Sequence, residues 1–343
     1  MIEWFKIKGL GPISELEWTP SKKLNVIIGQ NDTGKTLLLK LLYATSRVLE
    51  NYQKGDSQQT IRQLLDDKLT WTFQLKHLGD LVSKGKKAPG KLEFEGDFSY
   101  KEGTQKLRFS FSPSASKGVG DCTEKINRLK SISVFIPPKE VLSIARVVRK
   151  SREIDEEFGF DDTYLDLIKY LDKSRTQGGR KISSLARSKI SDYMGGKIEK
   201  GSDEKWRLRK GNTIYDIFTT AEGLKKIAIF DVLIGNKVIN ENTVLFIDEP
   251  EAHLNPEGMI HFMEALADLS KIGVQLFINT HSYFIIRKLQ LIAKEEQWDM
   301  PILTLERNNG QPKQSNLKEG LPDNPIIDTA VKLYEQEIDL ALD

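Results

Sequence analysis

Residues 25–40, NVIIGQNDTGKTLLLK, join an apolar run to a Leu-rich stretch through a polar loop bounded by glycines. Val26 to Ile28 read as a buried strand, and the segment from Lys35 to about Leu49 has helical length. Between them Gly29, Gln30, Asn31, Asp32, Thr33, Gly34, Lys35 and Thr36 satisfy the pattern of a glycine, four residues and Gly-Lys-Thr, with strand before and helix after, that a phosphate loop requires. The glycines tolerate tight backbone conformations, so the amides of Gln30 to Gly34 can curl round a β-phosphate, with the positive end of the helix dipole behind them. Lys35 would reach the β- and γ-phosphates, and the Thr36 hydroxyl would ligate Mg²⁺. An ordinary glycine turn before a helix is the competing reading, and the full eight-residue match disfavours it.

Further along, helix near 223–236, strand 243–248, helix 256–270, strand 273–279, helix 283–295 and strand 301–306 alternate, which predicts a parallel sheet with crossover helices and an α/β core. TVLFIDEPEAHLNP (243–256) delivers Asp248 at the carboxyl end of a strand, where such a sheet places its ligands. Asp248 can hold Mg²⁺ through its water shell, and Glu249 is placed to orient and deprotonate an attacking water. That the two acids merely cap the helix near Pro256 is disfavoured, because a cap sits beside its helix. VQLFINTHSYF (274–284) ends another buried strand in Asn279, Thr280 and His281, from which the histidine can reach a γ-phosphate.

Elsewhere, WFKIKGLGPISELEWTPSKKLNVIIG reads as two or three strands, and LTWTFQL, KLEFEGDFSY and QKLRFSFS predict an antiparallel meander between about 69 and 112. SISVFIPP is a strand stopped by paired prolines. Residues 139–194 turn helical, which predicts an inserted helical subdomain dividing a core made of 1–138 and 195–343. GKIEKGSDEKWRLRKGNTIYDI returns to strands, and a last helix spans about 326–342. The 343 residues carry 51 Lys+Arg against 49 Asp+Glu, so the whole-chain charge makes no case for nucleic acid. Cys122, the single cysteine, excludes an intrachain disulfide and a multi-cysteine metal site. No run approaches the roughly 20 apolar residues of a membrane helix, and MIEWFKIKGLG lacks a signal pattern. A cytoplasmic protein without membrane association is expected.

Together GQNDTGKT, FIDEPEAHLNP, NTHS and the leading FKIKGLGPI strands resemble the ABC-type ATPase heads, nearest the soluble branch of the RecF, SMC and OLD families. The resemblance covers most of the chain except the helical insert. It implies an α/β fold, an ABC-type P-loop NTPase core with an antiparallel β lobe and an inserted helical subdomain, and it implies ATP and Mg²⁺ as cofactors. It also implies that ATP is sandwiched between two heads, in a homodimer or a higher even-numbered homo-oligomer, with the signature segment of one facing the loop of the other. FTTAEGLKKIAIF occupies the signature position, where Thr220, Ala221, Glu222 and Gly223 would present a hydroxyl, amides and a helix dipole to the γ-phosphate. The segment departs from the transporter consensus Leu-Ser-Gly-Gly-Gln, and a plain helix start is the alternative. His253 and Asn255 fall in the region that faces the partner head, whereas His77 and His261 carry no pattern. The glutamine loop is expected after a strand of the β lobe, where FIPPKEV offers Lys139 and Glu140 but no Gln.

The insert concentrates Lys173, Arg175, Arg180, Lys181, Arg187 and Lys189, preceded by Arg146, Arg149, Lys150 and Arg152, so nucleic acid or an acidic partner is expected within 146–190 unless these cations pair with neighbouring acids. In the OLD family a Toprim nuclease commonly follows the head. Its acid cluster is not evident after His281, so the resemblance implies a separately encoded effector such as a nuclease or toxin, in prokaryotic antiphage defence. An ATP-gated DNA-binding protein of repair, a slowly hydrolysing scaffold and, more weakly, a transporter ATPase are the alternatives.

Overall fold

The chain begins with the antiparallel strands β1 (Ile2–Leu10) and β2 (Ile13–Trp18), then the buried strand β3 (Leu24–Gly29) and helix α1 (Lys35–Asn51). Helix α2 (Ile61–Phe73), the hairpin β4 (Leu92–Tyr100) and β5 (Gly103–Phe111), and strand β6 (Ile132–Ile136) follow. A short helix α3 (Ala145–Arg149) runs into a π-helical turn at Lys150–Ile154, ahead of α4 (Asp162–Leu171) and α5 (Ser184–Met194). Next come β7 (Lys197–Lys200), β8 (Trp206–Lys210), β9 (Thr213–Asp216), α6 (Glu222–Gly235), β10 (Thr243–Asp248) and α7 (Pro256–Lys271). The chain closes through β11 (Gln275–Asn279), α8 (Tyr283–Glu295), β12 (Pro301–Leu305), β13 (Lys313–Asn316) and α9 (Pro325–Leu342). This computed structural model describes residues 1–56, 58–85, 88–100, 103–115, 118–173, 184–201, 203–307 and 310–342.

The central sheet has the order β13-β12-β3-β11-β10-β6, parallel except for β13. Both of its faces are covered, which is why its strands read as unbroken apolar runs. Strand alternation then feeds two cores. Val26, Ile28, Val134, Leu245, Ile247, Leu276 and Ile278 pack with α4 to α8 on one side. Ile27, Phe135, Phe246 and Phe277 face the other side, toward α1 and the four-stranded antiparallel lobe β2-β1-β4-β5. Gln275 fastens lobe to sheet: its Oε1 accepts from Ile2 N at 2.8 Å, and its Nε2 donates to the carbonyls of Ile2 and Ser21 at 2.8 and 3.0 Å. A third, small antiparallel sheet β7-β8-β9 precedes α6. This is the α/β core with an antiparallel lobe that the sequence predicted.

Two local expectations change. LTWTFQL is not a strand, because Leu69–Phe73 completes α2. Thr60 and Gln63 form a reciprocal capping box at its start, and Ile61, Leu65 and Leu69 lie one turn apart on its buried face, so helical periodicity overrides the short alternation. Helix from Lys139 is likewise delayed to Ala145, since Glu140 folds a turn by accepting from Ser143 N at 3.1 Å. Leu165, Ile168 and Leu171 of α4 and Ile190 and Met194 of α5 share one core with the parallel sheet, so the described helices of 139–194 form a layer on that sheet.

Helices α1, α2 and α4 are tied together by a buried ionic network. Asp166 accepts from Lys68 Nζ at 2.6 Å, Tyr43 OH at 2.5 Å and Arg47 Nε at 3.3 Å. Burial alone would raise its pKa, but Lys68 and Arg47, with hydrogen bonds from Lys68 and Tyr43, outweigh that and hold the carboxyl well below its usual range. Removing Asp166 leaves Lys68 paired with Asp162, at 2.7 Å, and Arg47 paired with Glu50, at 2.8 Å. Asp166→Ala is therefore expected to cost about 1.5–3 kcal/mol, the worth of hydrogen bonds to a charged group, read as a fall in urea midpoint at unchanged slope; no fall in midpoint would show that Asp162 and Glu50 suffice.

Candidate functional site

Strands β3, β10 and β11 lie side by side, with Asp248 opposite Asn279 and Asn279 opposite Ile27, so their carboxyl ends open at one level. At the end of β3, Gly29 adopts φ 152°, and a Cβ there would meet the Leu305 carbonyl oxygen at 2.4 Å. Gly34 takes φ 90° and starts α1, leaving no side chain over the helix N-terminus. Only glycine combines that turn with that approach. Lys35 bends back over the loop, donating to the carbonyls of Gly29 at 2.9 Å and Gln30 at 2.8 Å. Burial lowers its pKa, while Glu249, Asp248 and Glu251 act in the opposite sense. Thr33 Oγ1 donates to the Gln30 carbonyl at 3.0 Å, and Arg307, just beyond β12, donates from Nε to the Asn31 carbonyl at 3.0 Å. Gln30, Asn31 and Asp32 are exposed, with Asp32 at φ 66°.

Thr36, at the start of α1, donates its hydroxyl to Asp248, 3.1 Å from each carboxylate oxygen, and Asn279 Nδ2 donates to Asp248 Oδ1. Burial pushes the Asp248 pKa up to about 6, and the hydrogen bonds from Asn279 and Thr36 only partly oppose it. Glu249 turns outward at φ 47°, with its side chain 36% exposed. Its peptide is fixed on both sides: the amide donates to the Asn279 carbonyl at 3.0 Å, and the carbonyl accepts from Lys226 Nζ at 2.5 Å and Ala252 N at 3.1 Å. Lys226 is buried inside α6 and also donates to the Pro138 carbonyl at 3.3 Å. Burial brings its pKa down to about 8, against the pull of Glu251, Asp248 and Glu249.

His281 lies beside two acids, its Nδ1 3.3 Å from Glu251 Oε1 and 3.8 Å from Glu249 Oε1. Glu251 is buried and holds the strand end by accepting from Thr280 Oγ1 at 2.9 Å and His281 N at 2.8 Å. The loop, Asp248, Glu249 and His281 therefore converge. Thr220, Ala221, Glu222 and Gly223 occupy a separate place at the start of α6, where Thr220 Oγ1 donates to the Asp216 carbonyl and Glu222 pairs with Lys225 at 2.6 Å. Ala221 supplies no side-chain cap, so the amides there are open to an acceptor. Gly223 is packed so closely that a Cβ would lie 2.4 Å from the His253 carbonyl.

Helix α7 is capped by Asn255, whose Oδ1 accepts from Gly258 N at 2.8 Å, which frees Asp248 and Glu249 from that task. Asn255 was expected at a partner interface and here carries a structural bond as well. His77 begins a 3₁₀ turn without a side-chain cap, and His261 lies near Glu257 and Glu264. The reading of the sequence missed Lys226, Glu251, Asn279 and Arg307. A lysine inside the apolar run of α6 was the available signal for the first; the others act through contacts between residues far apart in the chain.

Among the described residues no three His, Cys, Asp or Glu side chains converge as a metal cage. The Thr36 hydroxyl and the Asp248 carboxylate instead form an oxygen pair open to a hard cation that keeps waters and phosphate oxygens as its other ligands, which is how Mg²⁺ sits in nucleotide sites. Because the native pKa of Asp248 lies above its unfolded value, the native state retains a proton that the unfolded chain releases between about pH 4 and 6, and stability falls as pH rises through that window. Asp248→Asn is expected to stabilise the ligand-free protein by about 2–3 kcal/mol at pH 7.5 and by little at pH 4. Thermal melts at the two pH values check this, and an unchanged or lower Tm at pH 7.5 would refute it.

A model of the AAA_21 family, described as "AAA domain, putative AbiEii toxin, Type IV TA system", matches residues 24–287, from β3 through His281 into α8. The Old nuclease of Escherichia phage P2 is 49% identical over 41 residues, 12% of this chain and 7% of that protein, so the match spans a small part of its length. Solved structures share the fold, among them three SMC heads. The SmcHead bound to the C-winged helix domain of ScpA has a TM-score of 0.56 at 14% identity, covering 93% of this chain and 99% of that one. The Smc head domain with an extended coiled coil, bound to the C-terminal domain of ScpA from Pyrococcus furiosus, gives 0.54 at 13%, covering 98% of each. The SMC head domain from Thermotoga maritima gives 0.50 at 14%, covering 92% and 98%. With the phosphate loop and acid strand inside the matched region, the chain belongs to the AAA_21 family and is a P-loop ATPase with an OLD- and SMC-like ABC-type head.

Proposed function

We propose that this ATPase is Mg²⁺-dependent, closes head to head on ATP as a homodimer or a higher even-numbered assembly, and through that cycle regulates a separately encoded effector, a nuclease or toxin, in prokaryotic antiphage defence. The observation that carries the hydrolytic part is the 3.1 Å contact between Thr36 and Asp248, which joins the loop to the acid strand 212 residues away. In this reading Gly29 to Gly34 wrap the phosphates, Lys35 leaves its loop carbonyls for the β- and γ-phosphates, and Thr36 with Asp248 holds Mg²⁺. The cation would neutralise charge on the β- and γ-phosphate oxygens. Glu249 accepts the proton of the attacking water, and His281 donates to a γ-phosphate oxygen. Lys226, by fixing the Glu249 carbonyl, keeps that carboxylate at a set height above the sheet.

The dimeric part draws support from the start of α6. Its uncapped amides suit a phosphate, and its hydrogen bonds run to Asp216 and Lys225, so the phosphate would come from a second copy. Exposed apolar side chains flank both halves: Phe218 (66%) precedes Thr220, and Phe284 (55%) follows His281. A sandwich would cover them. The division into a core of 1–138 and 195–343 with a helical insert at 139–194 belongs to this proposal.

The DNA-repair reading rests on the basic insert, and there Arg149 pairs with Asp172, Arg152 with Asp162, Arg187 with Asp231 and Lys189 with Asp268. Arg152 also stacks on Trp71 at 3.7 Å. Arg175, Arg180 and Lys181 lie outside the described residues. The transporter reading is disfavoured by the Thr220–Gly223 segment, which departs from Leu-Ser-Gly-Gly-Gln; among the described residues no helix is long and apolar enough to cross a membrane.

Two variants separate binding from turnover. Lys35→Ala should lose ATP binding, whereas Glu249→Gln should lower turnover by about 10²–10⁴ and hold the ATP-bound assembly. Light scattering is then expected to show at least a doubling of the 39.0 kDa mass for Glu249→Gln with ATP and Mg²⁺ but not for Lys35→Ala. A mass unaffected by ATP in Glu249→Gln sinks the sandwich, and normal hydrolysis by Lys35→Ala sinks the site assignment.

A further inference from the structure

The ionic network of α1, α2 and α4 borders a 330 Å³ cavity, where the C-terminal ends of α1 and α4 meet Ser131 and Ile132 at the start of β6. Its floor is buried and polar, built from Arg47, Glu50, Asp166 and Tyr170. Charge does not balance there. Six cations line the cavity against two carboxylates, and both carboxylates are engaged: Arg47 Nη1 holds Glu50 at 2.8 Å, and Asp166 is shared by Arg47 and Lys68; Lys130 and Lys169 have partners of their own, which leaves the surplus to Arg128, Lys54 and Lys173. Arg128 donates to the Glu50 carbonyl at 2.9 Å, a neutral acceptor, and Lys169 reaches Glu153 at 3.1 Å. Lys54 and Lys173 thus complete a rim on which positive charge predominates.

Two plainer explanations fall short. Cations are favoured at helix C-termini, and two helices end here, but each terminus supplies only about half a negative charge. Together they offset about one of the surplus cations. Glu50 cannot supply the rest, because its carboxylate is already held by Arg47 at 2.8 Å. Lys173 shows the consequence: burial, Lys54 and Arg47 all lower its pKa, against Glu50 alone. A solvated lysine face would let the side chains spread into water. Here the Lys173 ammonium lies 4.6 Å over the ring of Tyr170, whose hydroxyl is 2.6 Å from Arg47 Nη1, so it stays at the opening.

We infer that this cavity is a second anion site, distinct from the phosphate loop, for a small ligand carrying two or more phosphate groups. Its volume lies at the lower end of ligand pockets, enough for one such group of atoms and too small for a duplex. Arg47 and Tyr170 would meet the inner phosphate and Lys54 and Lys173 the outer one. The site is remote from the ATP loop: at about 1.5 Å per residue, the 17 residues of α1 separate the two by roughly 25 Å.

Pyrophosphate titrated calorimetrically into the chain at 0.15 M salt tests this. The Lys35→Ala variant, with its phosphate loop impaired, is expected to bind one pyrophosphate per chain, and adding Lys54→Ala and Lys173→Ala should weaken that by at least tenfold. Should Lys35→Ala not fold, Lys54→Glu with Lys173→Glu in the otherwise unaltered chain should reduce the stoichiometry from two to one. Absence of a second site, a second site indifferent to Lys54 and Lys173, or binding of a 5′-phosphorylated oligonucleotide without any binding of pyrophosphate would each overturn the inference.

Discussion

Asp248 is a carboxylate enclosed at the point where three parallel strands end, and the rest of the site is arranged around keeping it there. Its register opposite Asn279 gives it an amide donor, and the start of α1 gives it the Thr36 hydroxyl. Neither is a countercharge, so burial prevails and the carboxyl titrates near 6. A fold selected for stability alone would place an apolar side chain or an amide at that position. A fold that must receive a cation needs an acid whose charge is unspent, within reach of a hydroxyl at a helix start.

Two long elements radiate from that point. Helix α1 leaves the phosphate loop and ends in the network of Arg47, Asp166 and Lys68, so the loop is anchored at its far end by buried charge as well as by apolar packing. Helix α6 runs from the open amides at Ala221 past Lys226, whose ammonium group touches the carbonyl following Asp248. A movement at the start of α6 would therefore be felt at the Glu249 peptide, and a movement at the loop would be felt at α4. Both are rigid routes built from named contacts, and a coupling energy between their ends is what mutational cycles would measure.

Sequence pattern was a good guide wherever the chemistry is local. The glycine loop, the strand ending in Asp248 and the strand ending in His281 each carry their signal within about a dozen residues, and the sheet arose from the alternation between them. It misled at LTWTFQL, where five alternating residues concealed the last turns of a helix whose cap and buried face lie upstream. It also could not see partners distant in sequence. Arg187 and Lys189 stand in a run without an acid of its own, for which the adjoining acids 153–162 were the visible partners, yet they pair with Asp231 and Asp268, 44 and 79 residues away. Lys226 and Glu251 were passed over for the same reason, since their roles depend on backbone groups that only the sheet brings near.

Several energetic costs fall together on this one edge. Glu249 holds a left-handed backbone, a conformation that costs a non-glycine residue about 1–3 kcal/mol. Asp248 keeps a charge in a dry place, and Lys226 is buried deeply enough to titrate near 8. Lys35 spends its donors on carbonyls of its own loop. A polyphosphate would relieve the last of these by giving Lys35 an anionic partner, and a cation carried with it would give Asp248 a positive neighbour.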